Sequence, residues 1–206
     1  MSDLTLYSMP SSGNSYKVRL LLALQGRAYT HLPMEYETPE LDAAHASNRL
    51  PFGKLPVIEL PDGTRLPESN AILCYLSDGT DWMPSDKMER AEALAWMFFE
   101  QNRHETVIAV RAALRFYASR AHLATPERMA ELLAAGHDVL GVLEQGLSGK
   151  DWLVGDRPSV ADISLYAYTH TAGSKGGFEM ERFPAINAWL QRMAGLPAYV
   201  GLDDTP

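Results

Sequence analysis

Leu4-Thr5-Leu6-Tyr7-Ser8-Met9-Pro10-Ser11-Ser12-Gly13-Asn14-Ser15-Tyr16-Lys17-Val18-Arg19-Leu20-Leu21-Leu22-Ala23-Leu24 decides how the chain begins to fold. Leu4–Tyr7 predicts a short strand. A polar turn follows through Ser15, and the apolar run predicts a helix over Ser15–Gln25, stopped near Gly26. Hydroxyls and an amide therefore crowd a helix N-terminus just past a strand. Such a terminus offers unpaired backbone N–H groups and the positive end of the helix dipole, and so favours an anion. Ser12, Asn14 or Ser15 as a plain N-cap also accounts for these side chains.

Working outward, Tyr29–Met34 predicts a strand and Pro39–Asn48 a helix. Val57–Leu60 and Thr64–Leu66 predict strands joined by Pro61-Asp62-Gly63, a hairpin signal. Ser69–Leu76 predicts a helix. The order β-α-β-α-β-β-α implies a compact α/β layer. Asp78–Pro84 is turn-rich and reads as a connection, and strand signals cease from Ser85. Lys87–Ser119 carries a long helical pattern, as one bent helix or two. Pro126–Leu147, Ala161–Thr171 and Pro184–Ala194 carry three more, with Pro126 suited to a first turn. The expected division is an α/β domain over 1–80, a linker over 81–86 and an all-helical domain over 87–206.

The 206 residues suffice for one large domain or two small ones. A net charge of −8, with no Lys/Arg-rich run, argues against nucleic acid as a partner. No apolar run reaches membrane-spanning length, and no basic-then-apolar start suggests a secretory signal. A cytoplasmic location is expected. The single cysteine, Cys74, gives neither an internal disulfide nor a Cys-x-x-Cys pair. It reads as packing on the buried face of its helix. His and Cys show no metal-ligand spacing, so no metal is expected.

Four segments together resemble the cytosolic glutathione transferase family, most like bacterial members with theta-, zeta- or nu-like N-termini. They are the opening turn and helix; Pro51-Phe52-Gly53-Lys54-Leu55-Pro56-Val57; Leu66-Pro67-Glu68-Ser69-Asn70-Ala71-Ile72; and Leu153-Val154-Gly155-Asp156-Arg157-Pro158-Ser159-Val160-Ala161-Asp162-Ile163. The resemblance covers nearly all of the chain. It implies a thioredoxin-like N-terminal domain followed by an all-helical one. The sequence departs from the family pattern at Leu50, where Asn is usual.

The resemblance also implies a function. Glutathione would bind the α/β domain as a co-substrate, with no permanently bound cofactor. Ser12 would donate to its sulfur, with Asn14 assisting or substituting, since a donor to sulfur favours the thiolate, the nucleophilic form. A cis bond before Pro56 would expose the Leu55 backbone to the cysteinyl part, a strand-like mode of recognition. Lys54 would reach the glycyl carboxylate. Ser69 would cap the third helix and bind the γ-glutamyl carboxylate, and Glu68 would accept from its ammonium. Met9, Pro10, Arg103 and His104 are candidates for the acceptor cleft, where a small electrophile or a disulfide would react. The last segment has capping-box spacing from Ser159 to Asp162 and is assigned to folding. A homodimer is implied. The nu-like Ser/Asn arrangement also resembles glutathione-dependent disulfide reductases. A glutathione binder with little turnover is a third reading, and a zeta-like isomerase would lack its Cys, Asn14 standing there.

Overall fold

A computed structural model describes residues 4–204; the outermost ends of the expected domain ranges lie outside the described residues. The chain divides into two compact units, Met1–Thr80 with Ala194–Pro206, and Asp81–Met193. The C-terminal segment therefore groups with the α/β unit, where the sequence assigned it to the helical one.

The first unit contains β1 (Thr5–Ser8), α1 (Gly13–Leu24), β2 (Thr30–Pro33), α2 (Pro39–Ala46), β3 (Val57–Glu59), β4 (Arg65–Pro67) and α3 (Ser69–Ser77). The sheet order is β2-β1-β3-β4, with β1 parallel to β2 and antiparallel to β3, and β3 antiparallel to β4. This is the thioredoxin-like layer. The β3–β4 hairpin turns at Gly63, whose φ of +84° suits a residue without Cβ. Leu6, Val57 and Ile58 of the sheet and Val18, Leu20, Leu21, Leu22, Ile72 and Leu73 of the helices are buried. Burying each such side chain contributes about 1.5–3 kcal/mol.

Register fixes where chemistry can collect. Tyr7 pairs with Val57, and Val57 pairs with Pro67. Because both pairings are antiparallel, the end of β1, the start of β3 and the end of β4 lie at one end of the sheet. The turn into α1, the loop into β3 and the turn into α3 emerge together there.

The second unit is helical: α4 (Lys87–Phe99), α5 (Glu105–Phe116), α6 (Pro126–Leu147), α7 (Val160–Thr169) and α8 (Pro184–Ala194). The long pattern over 87–119 resolves into α4 and α5 joined by a π-turn, Glu100–His104. α7 begins in a capping box between Ser159 and Asp162. The fully buried Asp162 carboxylate accepts from Leu153 N, Ser159 N and Trp189 Nε1 at 3.1, 2.9 and 2.9 Å, and from Ser159 Oγ at 3.1 Å. Burial pushes its pKa up, while these donors oppose the shift. α8 is capped from a distance: Glu144 of α6 accepts from Ala185 N and Ile186 N, both at 2.9 Å.

Candidate functional site: one end of the thioredoxin-like sheet

The turn between β1 and α1 is tied on every side. Ser12 occupies the N-cap position and accepts from Ser15 N at a long 3.5 Å. Ser15 Oγ accepts from Met9 N at 2.9 Å. Ser11 gives both its donors to Glu35, its N–H to Oε2 at 3.0 Å and its Oγ–H to Oε1 at 2.7 Å. The Ser11 proton is thus committed. The Ser12 hydroxyl, half-buried, has the Ser15 bond as its one hydrogen bond among the described residues, and in that bond it accepts. Its own proton remains to be donated.

Asn14 and Ser69 join the two helix starts. Asn14 Oδ1 accepts from Lys17 Nζ at 2.8 Å and from Ser69 Oγ at 3.1 Å, and Lys17 Nζ also donates to Ser69 Oγ at 3.4 Å. Lys17 and Ser69 are buried. Ser69 does not cap α3. Glu68 holds the N-cap position, with no side-chain cap bond, and Ser69 is the first helical residue. Its hydroxyl faces α1 because Asn14 and Lys17 there supply both an acceptor and a charged donor. Glu68 has φ +72° and ψ 112°, a sparsely populated conformation for a side-chain-bearing residue. Such backbone persists where surrounding structure over-determines it, and it clusters at ligand clamps.

The Leu55–Pro56 bond is cis. Neither the N–H nor the C=O of Leu55 has a hydrogen-bond partner among the described residues. The same holds for the exposed Lys54 ammonium and the exposed Glu68 carboxylate. Five groups therefore stand uncommitted at one end of the sheet: a hydroxyl donor, a backbone donor and acceptor, a cation and an anion. Such a set suits an extended, charged peptide.

The remaining candidates distribute differently. Met9 is half-buried and packs against the apolar cluster of Tyr7, Met34, Leu41, Ala44, Leu50 and Val57. Pro10 is half-buried, and its carbonyl is bound by Arg19. In the helical unit Arg103 is exposed, 5.6 Å from the Phe99 ring centroid. His104 is a correction to the sequence reading: it is fully buried, with Nε2 3.0 Å from Thr169 Oγ1 on α7. The π-turn rotates it inward, so it lines no open cleft. Cys74 is half-buried rather than buried. Among the described residues no group of three His, Cys, Asp or Glu side chains could hold a metal ion, and no helix is long and apolar enough to cross a membrane.

Comparison with known proteins decides the family. A glutathione S-transferase N-terminal domain pattern matches residues 6–80, and a glutathione S-transferase C-terminal domain pattern matches residues 106–197. A crystal structure of a glutathione S-transferase from Pseudomonas fluorescens is 41% identical, with a TM-score of 0.91 over 98% of this chain and 100% of that one. The chain belongs to the glutathione S-transferase family. Within that family, a glutathione S-transferase-like protein of a Fusarium species is 30% identical, over 91% of this chain and 86% of that protein. A further family member from Pseudomonas fluorescens was crystallised with two glutathione molecules bound. It is 25% identical, with a TM-score of 0.83 over 95% of this chain and 89% of that one. The Glu35 clasp of the turn had no sequence signal: its partner lies 24 residues away and no motif marks it.

Proposed function

We propose that this family member is a glutathione transferase that activates the glutathione thiol for attack on a small electrophile. The observation that carries the reading is the uncommitted set around the sheet end. Lys54 takes the glycyl carboxylate, the Leu55 backbone pairs with the cysteinyl part, and Glu68 takes the γ-glutamyl ammonium. Ser69 and the first turn of α3 take the γ-glutamyl carboxylate. Ser12 Oγ–H donates to sulfur. That bond and the positive end of α1 stabilise the thiolate over the thiol. The thiolate attacks the electrophilic carbon, and the leaving group departs with the bonding pair, or the carbanion takes a proton in conjugate addition. Asn14 assists by fixing Ser69 against α1, its Oδ1 accepting from Ser69 Oγ. Removing a single stabilising donor costs about 10²–10³-fold in turnover, and Ser12→Ala is expected to fall in that range with glutathione affinity retained. Wild-type turnover in that variant would remove Ser12 from the role.

A second reading keeps the site and changes the acceptor. The relative with two glutathione molecules bound favours it. Here the thiolate attacks a disulfide sulfur and expels a thiolate; a second glutathione resolves the mixed disulfide to glutathione disulfide. The protein needs no cysteine of its own. Parallel assays with a chlorodinitrobenzene-type acceptor and with hydroxyethyl disulfide separate the two. Tight glutathione binding with both assays flat would mark a binder without turnover. Cytoplasmic residence fits the single cysteine.

A further inference from the structure

Arg19 lies on α1 among apolar residues and is 1% exposed. Burying a guanidinium is costly unless its donors are satisfied. Among the described residues it makes no ion pair, and its buried Nε has no hydrogen-bond partner. What it does bind is backbone. Its Nη2 donates to Pro10 O at 3.1 Å and to Leu202 O at 2.8 Å, and its Nη1 reaches Met9 O at 3.5 Å. The guanidinium is 5.8 Å from the Tyr16 ring centroid, and Tyr16 Oη donates to Val200 O at 2.7 Å. Burial pushes the Arg19 pKa down, while Tyr29, Tyr16, Asp203 and Glu35 oppose the shift. A C-terminal segment 183 residues away in sequence is thus fastened, through one planar fork, to the turn that ends in Ser12. The fork geometry matters, because a lysine ammonium would present a point charge and could not hold the same carbonyls in one plane.

We propose that Arg19 is a positioning residue, and that the Val200–Leu202 backbone is part of the device that holds the Ser12 turn in its sulfur-binding geometry. The inference rests on the Ser12 reading above. A hydroxyl donor strengthens or weakens steeply with small changes in distance and angle. A turn anchored by Arg19 from below and by Glu35 at its side keeps Ser12 aimed. Releasing the tail leaves the cation in place and lets the turn shift.

The readout is the thiol pKa of glutathione bound to the full-length protein, followed by ultraviolet thiolate absorbance across pH. Arg19→Lys keeps the charge and breaks the fork; Tyr16→Phe removes only the hydroxyl that holds Val200. Both are expected to raise the bound thiol pKa, Arg19→Lys by about one unit, equivalent to about a tenfold loss of thiolate, and Tyr16→Phe by less. In a Ser12→Ala background neither should add to the shift, since the coupling runs through Ser12. A wild-type thiol pKa in both variants, whatever their melting temperature, would reduce Arg19 and the tail to structural roles. If Arg19→Lys does not fold, Tyr16→Phe decides alone: a raised pKa supports the proposal and an unchanged one overturns it. If Ser12→Ala itself leaves the pKa unmoved, the Ser12 reading fails independently of the tail.

Discussion

At the scale of single residues, neighbouring hydroxyls in one turn have separate employment. Ser11 spends its proton on Glu35, while Ser12 keeps its own. Ser11→Ala should therefore cost about 1.5–3 kcal/mol of stability, the usual net value of one hydrogen bond to a charged group, and leave turnover within a few-fold of wild type. Denaturant melts and steady-state kinetics on this variant beside Ser12→Ala check the distinction; equal turnover losses would show that the turn, rather than one hydroxyl, is what matters. The sequence singled out Ser12, Lys54, Leu55, Glu68 and Ser69 as candidates because each sits in a short local motif. It could not show Glu35 or Arg19, whose partners are set by packing across the unit. It misread Ser69 as a cap because capping is the local use of serine, and only the buried Lys17 and Asn14 give it a tertiary one.

At the scale of elements, Glu59 locks the hairpin to its neighbour. Its Oε2 accepts from Arg65 Nε on β4 at 2.5 Å and from Tyr7 Oη on β1 at 3.1 Å. The Arg65 bond, aided by Tyr7 and opposed by desolvation, holds the Glu59 carboxyl below the usual range. A carboxyl depressed in the folded state contributes stability above its unfolded pKa and loses it as pH falls through the folded one. Glu59→Gln should thus flatten the acid side of the stability profile. Urea midpoints measured from about pH 7 down to about pH 3 test this, and an acid slope as steep as wild type would exclude the pair as a contributor. Helix boundaries were the most legible features, since Pro126–Leu147 and Pro184–Ala194 carry their own punctuation. The π-turn between α4 and α5 was not, because its cause is the inward burial of Glu100 and His104 and not a breaker residue. Nor was the reason for Gly136 within α6: a Cβ there would run into the Phe178 ring, which a distant segment brings against it.

At the scale of the molecule, composition and element order separated an α/β unit from a helical one. The C-terminal segment groups with the α/β unit, and its links to α1 run through the backbone carbonyls of Val200 and Leu202, which carry no side-chain pattern to read. We propose that two copies assemble as a symmetric homodimer. Large apolar side chains left in solvent, Phe52 at 78% and Phe98 at 65% exposure, are surface that a partner copy would cover. Sedimentation equilibrium should give twice the chain mass, and a stable monomer at micromolar concentration would contradict the assembly. The central claim concerns one proton on one hydroxyl. Titrating the thiol of bound glutathione in wild-type protein and in Ser12→Ala tests it most directly. The account predicts a wild-type pKa at least about one unit below that of free glutathione, returning toward the free value in Ser12→Ala. Identical titration curves for the two proteins would contradict it.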